Sequence, residues 1–266
     1  MSAGDPFLGV EDELRALVRA STGGDVANVE RLTGGGLAHR PVTGGPQGLT
    51  DALVKAVRAN GGEIRTGAGV AQILVEHQCV LGVRLESGEE IRASTVVSSA
   101  DPRRTLRGLV GAPELPPEFV WQTQSIRMRG SVAKLFLQTD GRHGLPTGTV
   151  AIAPTLKYLE RAYDATKYGE VSQQPYLEVT TSGTDVAVHF QFASYALRDA
   201  DWGSMRAELE KRAIDTLTLH FPAFKGSVQS VQSITPVDLE QSWGLTEGDL
   251  NHGQLILDQI FFMRPL

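Results

Sequence analysis

The sequence predicts an α+β fold in which helices and strands are mixed along the chain and several strands are joined as hairpins. Apolar residues at helical spacing mark several segments, and alternating apolar residues mark strands between them. Short turns built on Ser-Gly pairs connect neighbouring strands. With 266 residues, of which 41% are hydrophobic and 21% charged, the chain is long enough to bury a core without disulfides or metal.

In the first half, apolar residues at helical spacing predict helices over residues 11–20 and 46–60. Asp101 and Pro102 suit the N-cap and first turn of a further helix. The strands predicted in this half are residues 63–76, a hairpin over 80–91 with its turn at Ser87-Gly88, and a short apolar strand over 94–100.

A proline-rich break over residues 111–118 marks the place where we expect one sheet to give way to another. Ser204 is the predicted N-cap of the longest helix in this half. The predicted helices are residues 156–168, 204–220 and 236–243, and the predicted strands are residues 132–138, 149–153, 176–181, 186–192 and 228–234. The chain then ends in a strongly apolar segment.

The composition excludes several kinds of binding site and indicates where in the cell the protein is expected. With 25 Lys and Arg against 31 Asp and Glu, the net charge is −6, which argues against a nucleic-acid partner. The single cysteine, Cys79, excludes an internal disulfide and a Cys-based zinc site, and the six histidines lack ligand spacing. We find no secretory signal and no transmembrane segment, so we expect a cytoplasmic protein and leave peripheral membrane contact open.

Common catalytic motifs are missing from the chain. It has no G-x-G-x-x-G loop, no P-loop, no G-x-S-x-G elbow and no H-E-x-x-H. Gly44 and Gly45 precede the helix over 46–60, and glycines there let the backbone approach an anionic ligand. An ordinary packing unit explains the same pattern equally well, so the residues alone leave both interpretations open.

Two blocks of sequence, in order, resemble one family. The first, residues 43–102, has a Gly-Gly pair before a helix, Gly-Gly-Glu-Ile after it, the hairpin, and Val-Val-Ser-Ser-Ala-Asp-Pro. The second has Thr235-Pro236, His252-Gly253 and Arg264-Pro265. Together they resemble the phytoene desaturase-like FAD-dependent oxidoreductases of the flavin amine oxidase superfamily, over about residues 41–266. The Rossmann motif that opens such proteins and the flavin-binding block that closes them are not found here.

The resemblance implies four parts: an irregular segment over 1–40, part of an FAD-binding domain over 41–112, an antiparallel substrate-binding domain over 113–250, and a return segment over 251–266. In the superfamily FAD carries out the hydride chemistry, so no catalytic side chain is carried over. The implied cofactor contacts, mostly through backbone, are Gly44 and Gly45 near the flavin, Val70 at the adenine, and Ser99, Ala100 and Asp101.

The resemblance implies a dehydrogenase or desaturase that moves hydride from a small apolar or amine-type substrate to flavin. We expect this chain, apparently a fragment, to bind FAD weakly or not at all. The alternative is a non-catalytic truncated product or a binding module that retains the substrate domain. A third interpretation, a hydrolase, is supported only by scattered Ser, His and Asp residues. Self-association through the apolar segment 256–262 is a further expectation.

Overall fold

The structure, a computed structural model, describes residues 45–254 together with Ile256 and Gln259. The predicted helix over 11–20, Gly44 and most of the apolar segment 256–262 lie outside the described residues. The described chain divides into a larger unit, from 117 onward with residues 99–104, and a smaller unit of residues 45–98 and 105–116. Both helices and antiparallel sheets are present, so the α+β prediction is confirmed.

The smaller unit contains one long helix and one antiparallel sheet. The helix is α1 (Gly45–Ala59), and the sheet has the order β1 (Val70–Glu76), β2 (Cys79–Leu85) and β3 (Glu90–Arg92). Gly88 takes a φ of +89° in the turn between β2 and β3, the left-handed conformation that glycine adopts without strain. The predicted helix over 46–60 and the predicted hairpin over 80–91 are thereby confirmed.

Two strand predictions in this unit are wrong. Residues 94–100 form no strand, and Val97 is 92% exposed there. A strand is stable only when its backbone N–H and C=O groups pair with a neighbour, and no described strand pairs with this segment. The predicted strand over 63–76 is shorter than expected, because β1 begins only at Val70.

The larger unit is built on a five-stranded antiparallel sheet of spatial order β5-β6-β7-β4-β8. Gly183, at a φ of +62°, lies in the tight turn that joins β6 to β7. Its strands are β4 (Val132–Thr139), β5 (Gly148–Ile152), β6 (Val171–Ser182), β7 (Asp185–Ala193) and β8 (Val228–Ile234).

The α-helices of the larger unit are α2 (Pro117–Ser125), α3 (Leu156–Lys167), α4 (Trp202–His220) and α5 (Pro236–Trp243). A π-helix spans Arg103–Val110. The prediction that Ser204 caps α4 is wrong: the helix begins at Trp202, and the Asp201 carboxylate accepts the Ser204 N–H at 2.8 Å. Helix α2 begins within the segment predicted as a proline-rich break, because Pro117 fits a first helical turn.

One face of the five-stranded sheet, here called the inner face, packs against α4. Helix α4 contributes Leu209, Ala213 and Leu217, which recur every four residues and are fully buried. The sheet contributes alternate residues of each strand, such as Leu135 and Val188, which are also fully buried. Burying each large aliphatic side chain contributes roughly 1.5–3 kcal/mol, so this layer supplies much of the folding free energy.

Helix α3 lies on the opposite, outer face of the sheet. It packs against β6 and β7, and the Tyr158 hydroxyl donates to the Pro175 carbonyl at 2.8 Å. Ala162 of α3 and Tyr176 of β6 are buried, yet neither belongs to the core between the inner face and α4. The outer face is therefore covered at β6, whereas Phe136 on β4 remains 47% exposed.

None of the helices in the described part of the chain combines the length and the apolar character that crossing a membrane requires. Among the same residues, no cluster of His, Cys, Asp and Glu side chains is arranged to hold a metal ion.

The alternation along β4 gives a direct test of the fold. Leu135→Ala should lower the free energy of unfolding by about 2–5 kcal/mol, because it leaves a cavity against α4. Phe136→Ala, one residue away on the outer face, should lower it by less than about 1 kcal/mol. Urea unfolding of the two variants measures both values, and equal losses would contradict the assignment of the two faces.

Candidate functional site

The residues implied as cofactor contacts in the smaller unit are Gly45 and Val70. Gly45 is the first residue of α1, and Gly44 lies outside the described residues. Val70 opens β1, is 36% exposed and pairs with Leu85. Just before it, the Gly69 carbonyl accepts the Glu86 N–H at 2.8 Å. Val70 thus lies at the end of a strand pair, and its role as an adenine contact stays a prediction.

The other implied contacts, Ser99, Ala100 and Asp101, lie at the start of the larger unit. Ser99 is exposed and Ala100 is half-buried. Asp101 is only 2% exposed, and its carboxylate holds local structure. One oxygen accepts the Arg104 N–H at 2.8 Å, as expected of an N-cap, and the other accepts the Thr246 hydroxyl at 2.7 Å. The side chain of Asp101 is therefore engaged in the fold.

These positions do not fit a complete flavin site by themselves. A dinucleotide needs backbone or cationic donors for its pyrophosphate. Asp101 is the only charged side chain among the implied contacts, and it is an anion whose oxygens are both already hydrogen-bonded. No reaction step can therefore be assigned to flavin from these residues.

A polar cluster, the Glu240–Glu247 cluster, fixes the segment that follows α5. The Arg103 guanidinium donates to the Glu247 carboxylate at 2.8 Å and to the Ile126 carbonyl at 3.1 Å. The Glu247 N–H donates to the Glu240 carboxylate at 2.8 Å, and the Tyr195 hydroxyl donates to the same carboxylate. This hydrogen bond raises the pKa of Tyr195 to about 12, so the phenol stays protonated at neutral pH.

A row of titratable side chains lies on the outer face, and sequence reasoning did not find it. Three strands place Glu178 (β6), His189 (β7) and Lys134 (β4) side by side in register, followed by Ile234 on β8. Directly opposed residues in an antiparallel sheet point to the same side with Cβ atoms about 4.5–5.5 Å apart. The three titratable side chains therefore form one row, here called the outer-face row.

The two ends of the outer-face row differ in environment. At the β6 end, Glu178 is 6% exposed and accepts the Tyr176 hydroxyl at 2.6 Å. At the β4 end, Lys134 is half-buried, and its ammonium has no hydrogen bond or ion pair to the described residues. Phe136 lies two residues along the same strand and face, about 7 Å away. The open end of the row thus combines a cation with an exposed aromatic ring.

His189, in the middle of the row, is electrostatically coupled to both neighbours. Burial lowers the pKa of His189 and the charge of Lys134 lowers it further, while Glu178 acts in the opposite direction. The net pKa lies below the ordinary value for histidine, so the imidazole is neutral at pH 7. Near neutral pH, the β4 end of the row therefore carries the single charge of Lys134.

Comparison with known proteins gives a consistent result. The family model described as flavin containing amine oxidoreductase matches residues 8–217. A rat protein named pyridine nucleotide-disulfide oxidoreductase domain-containing protein 2 is 29% identical over 254 residues, covering 85% of this chain and 44% of the relative. A neurosporene-forming phytoene desaturase of Cereibacter sphaeroides is 35% identical over 101 residues, covering 38% of this chain and 19% of that protein.

The chain spans less than half the length of the rat and mouse relatives that it matches. Among solved structures, an oxidoreductase from Methanosarcina mazei is similar with a TM-score of 0.48 and 18% identity, covering 72% of this chain and 42% of that chain. The family resemblance inferred from the sequence is confirmed by the family match.

The coupling within the outer-face row predicts how substitutions shift the titration of His189. Lys134→Met should raise the pKa of His189 because it removes a nearby positive charge, and Glu178→Gln should lower it because it removes a negative one. NMR titration of the His189 ring measures both shifts. Lys157→Met, an exposed change on α3, is the control and should leave the pKa unchanged. Shifts of the opposite sign would contradict the register.

The hydrogen bonds of Asp101 predict a loss of stability when its carboxylate is removed. Asp101→Ala should lower the free energy of unfolding by about 1–2 kcal/mol, since it removes an N-cap and leaves the Thr246 hydroxyl without its acceptor. The matched control is Asp51→Ala on the exposed surface of α1, where the loss should stay within about 0.5 kcal/mol. Chemical unfolding gives both values, and similar losses in the two variants would refute the structural role of Asp101.

Proposed function

Because the chain belongs to the flavin containing amine oxidoreductase family, we propose that it is part of an FAD-dependent oxidoreductase of the dehydrogenase or desaturase type. The match of the family model over residues 8–217 carries this proposal. In such an enzyme the flavin would supply the hydride-accepting chemistry, and the protein would orient the substrate and exclude water.

The described residues support a proposal for where the substrate binds. In the proposed function, the larger unit binds the substrate on the outer face of its five-stranded sheet. The support is the rigid inner layer, which fixes β4 and β7 so that Lys134, Phe136 and His189 are presented together. Sites built on packed strands hold their side chains more firmly than sites built on loops.

The substrate of the proposed enzyme is a small molecule with substantial apolar surface. Phe136 is 47% exposed on the outer face, with Ala187 directly opposite on β7, Gln232 directly opposite on β8 and Ile234 diagonally across on β8. An exposed aromatic ring beside aliphatic side chains favours apolar ligands. The neutral imidazole of His189 adds a group that donates or accepts one hydrogen bond without adding charge.

The predicted adenine contact at Val70 is tested by binding of FAD to the purified full chain. We expect weak binding, in the millimolar range (about −4 kcal/mol), because the proposed contact at Val70 would involve only the adenosine part of FAD. Val70→Glu should weaken it about tenfold or more, since the new carboxylate crowds and repels the dinucleotide. Equilibrium dialysis against FAD measures the affinity.

The matched control is Cys79→Glu, an exposed change at the opposite end of the β1–β2 hairpin, which should leave FAD binding unchanged. If the wild-type chain bound no FAD at all, or if both variants bound it equally well, the proposed contact of the chain with the cofactor would be refuted.

A further inference from the structure

We draw no further inference here: the strongest candidate, the apolar stripe of helix α1 formed by Leu49, Leu53 and Val57, which are 48%, 59% and 44% exposed, carries none because nothing in the structure shows what covers it.

Discussion

Burial of the inner face of the five-stranded sheet against α4 is the interaction on which the larger unit depends. The apolar stripe of α4 meets alternate residues of β4, β6 and β7, and these side chains are almost completely buried. Because strand side chains alternate between faces, this burial also determines which residues point outward. The position of Lys134, Phe136 and His189 on the outer face is thus a direct consequence of Leu135, Val188 and their neighbours facing inward.

The structure separates side chains that hold the fold from side chains that are available to a ligand. Asp101 resembles a cofactor contact in sequence, but its two oxygens are committed to Arg104 and Thr246. The carboxylates of the Glu240–Glu247 cluster likewise accept hydrogen bonds from within the fold, and the protonated Tyr195 hydroxyl is part of the cluster. The buried Nε of Arg103 in this cluster has no hydrogen-bond partner among the described residues. Lys134 has no such commitment among the described residues. A binding surface is therefore better sought on the outer face than at the polar clusters.

Local signals made several elements predictable from the sequence. Strand β8 and helix α5 were predicted with the bounds found in the structure, since Thr235 and Asp238 form a reciprocal capping box that ends one and starts the other. The sequence does not identify the N-cap of α4, because Asp201 and Ser204 are both good caps and only the folded structure shows which one accepts the hydrogen bond. The strand predicted over 94–100 does not form, because a strand needs a neighbouring strand to pair with and local sequence does not show whether one is present.

The outer-face row could not be predicted for a similar reason. Lys134, Glu178 and His189 are far apart in the chain, and only the register of three strands brings them together. The spacing of histidines along the chain is a local pattern. It therefore does not reveal that His189 lies beside a lysine on another strand. Polar and apolar residues alternate along β4 and β7, and this pattern predicts which face of the sheet each side chain occupies. It does not predict which residue lies opposite on the neighbouring strand.

Amide chemical-shift mapping of the full chain is the measurement that tests the central claim most directly, namely that the ligand-binding surface is the outer face of the sheet. Decan-1-ol, a small apolar probe, is added to one sample and its effect on every assigned backbone amide is recorded. The largest shifts are expected in β4 and β7 around Lys134, Phe136 and His189. Shifts that concentrated instead at the Glu240–Glu247 cluster, with β4 and β7 unaffected, would contradict that claim.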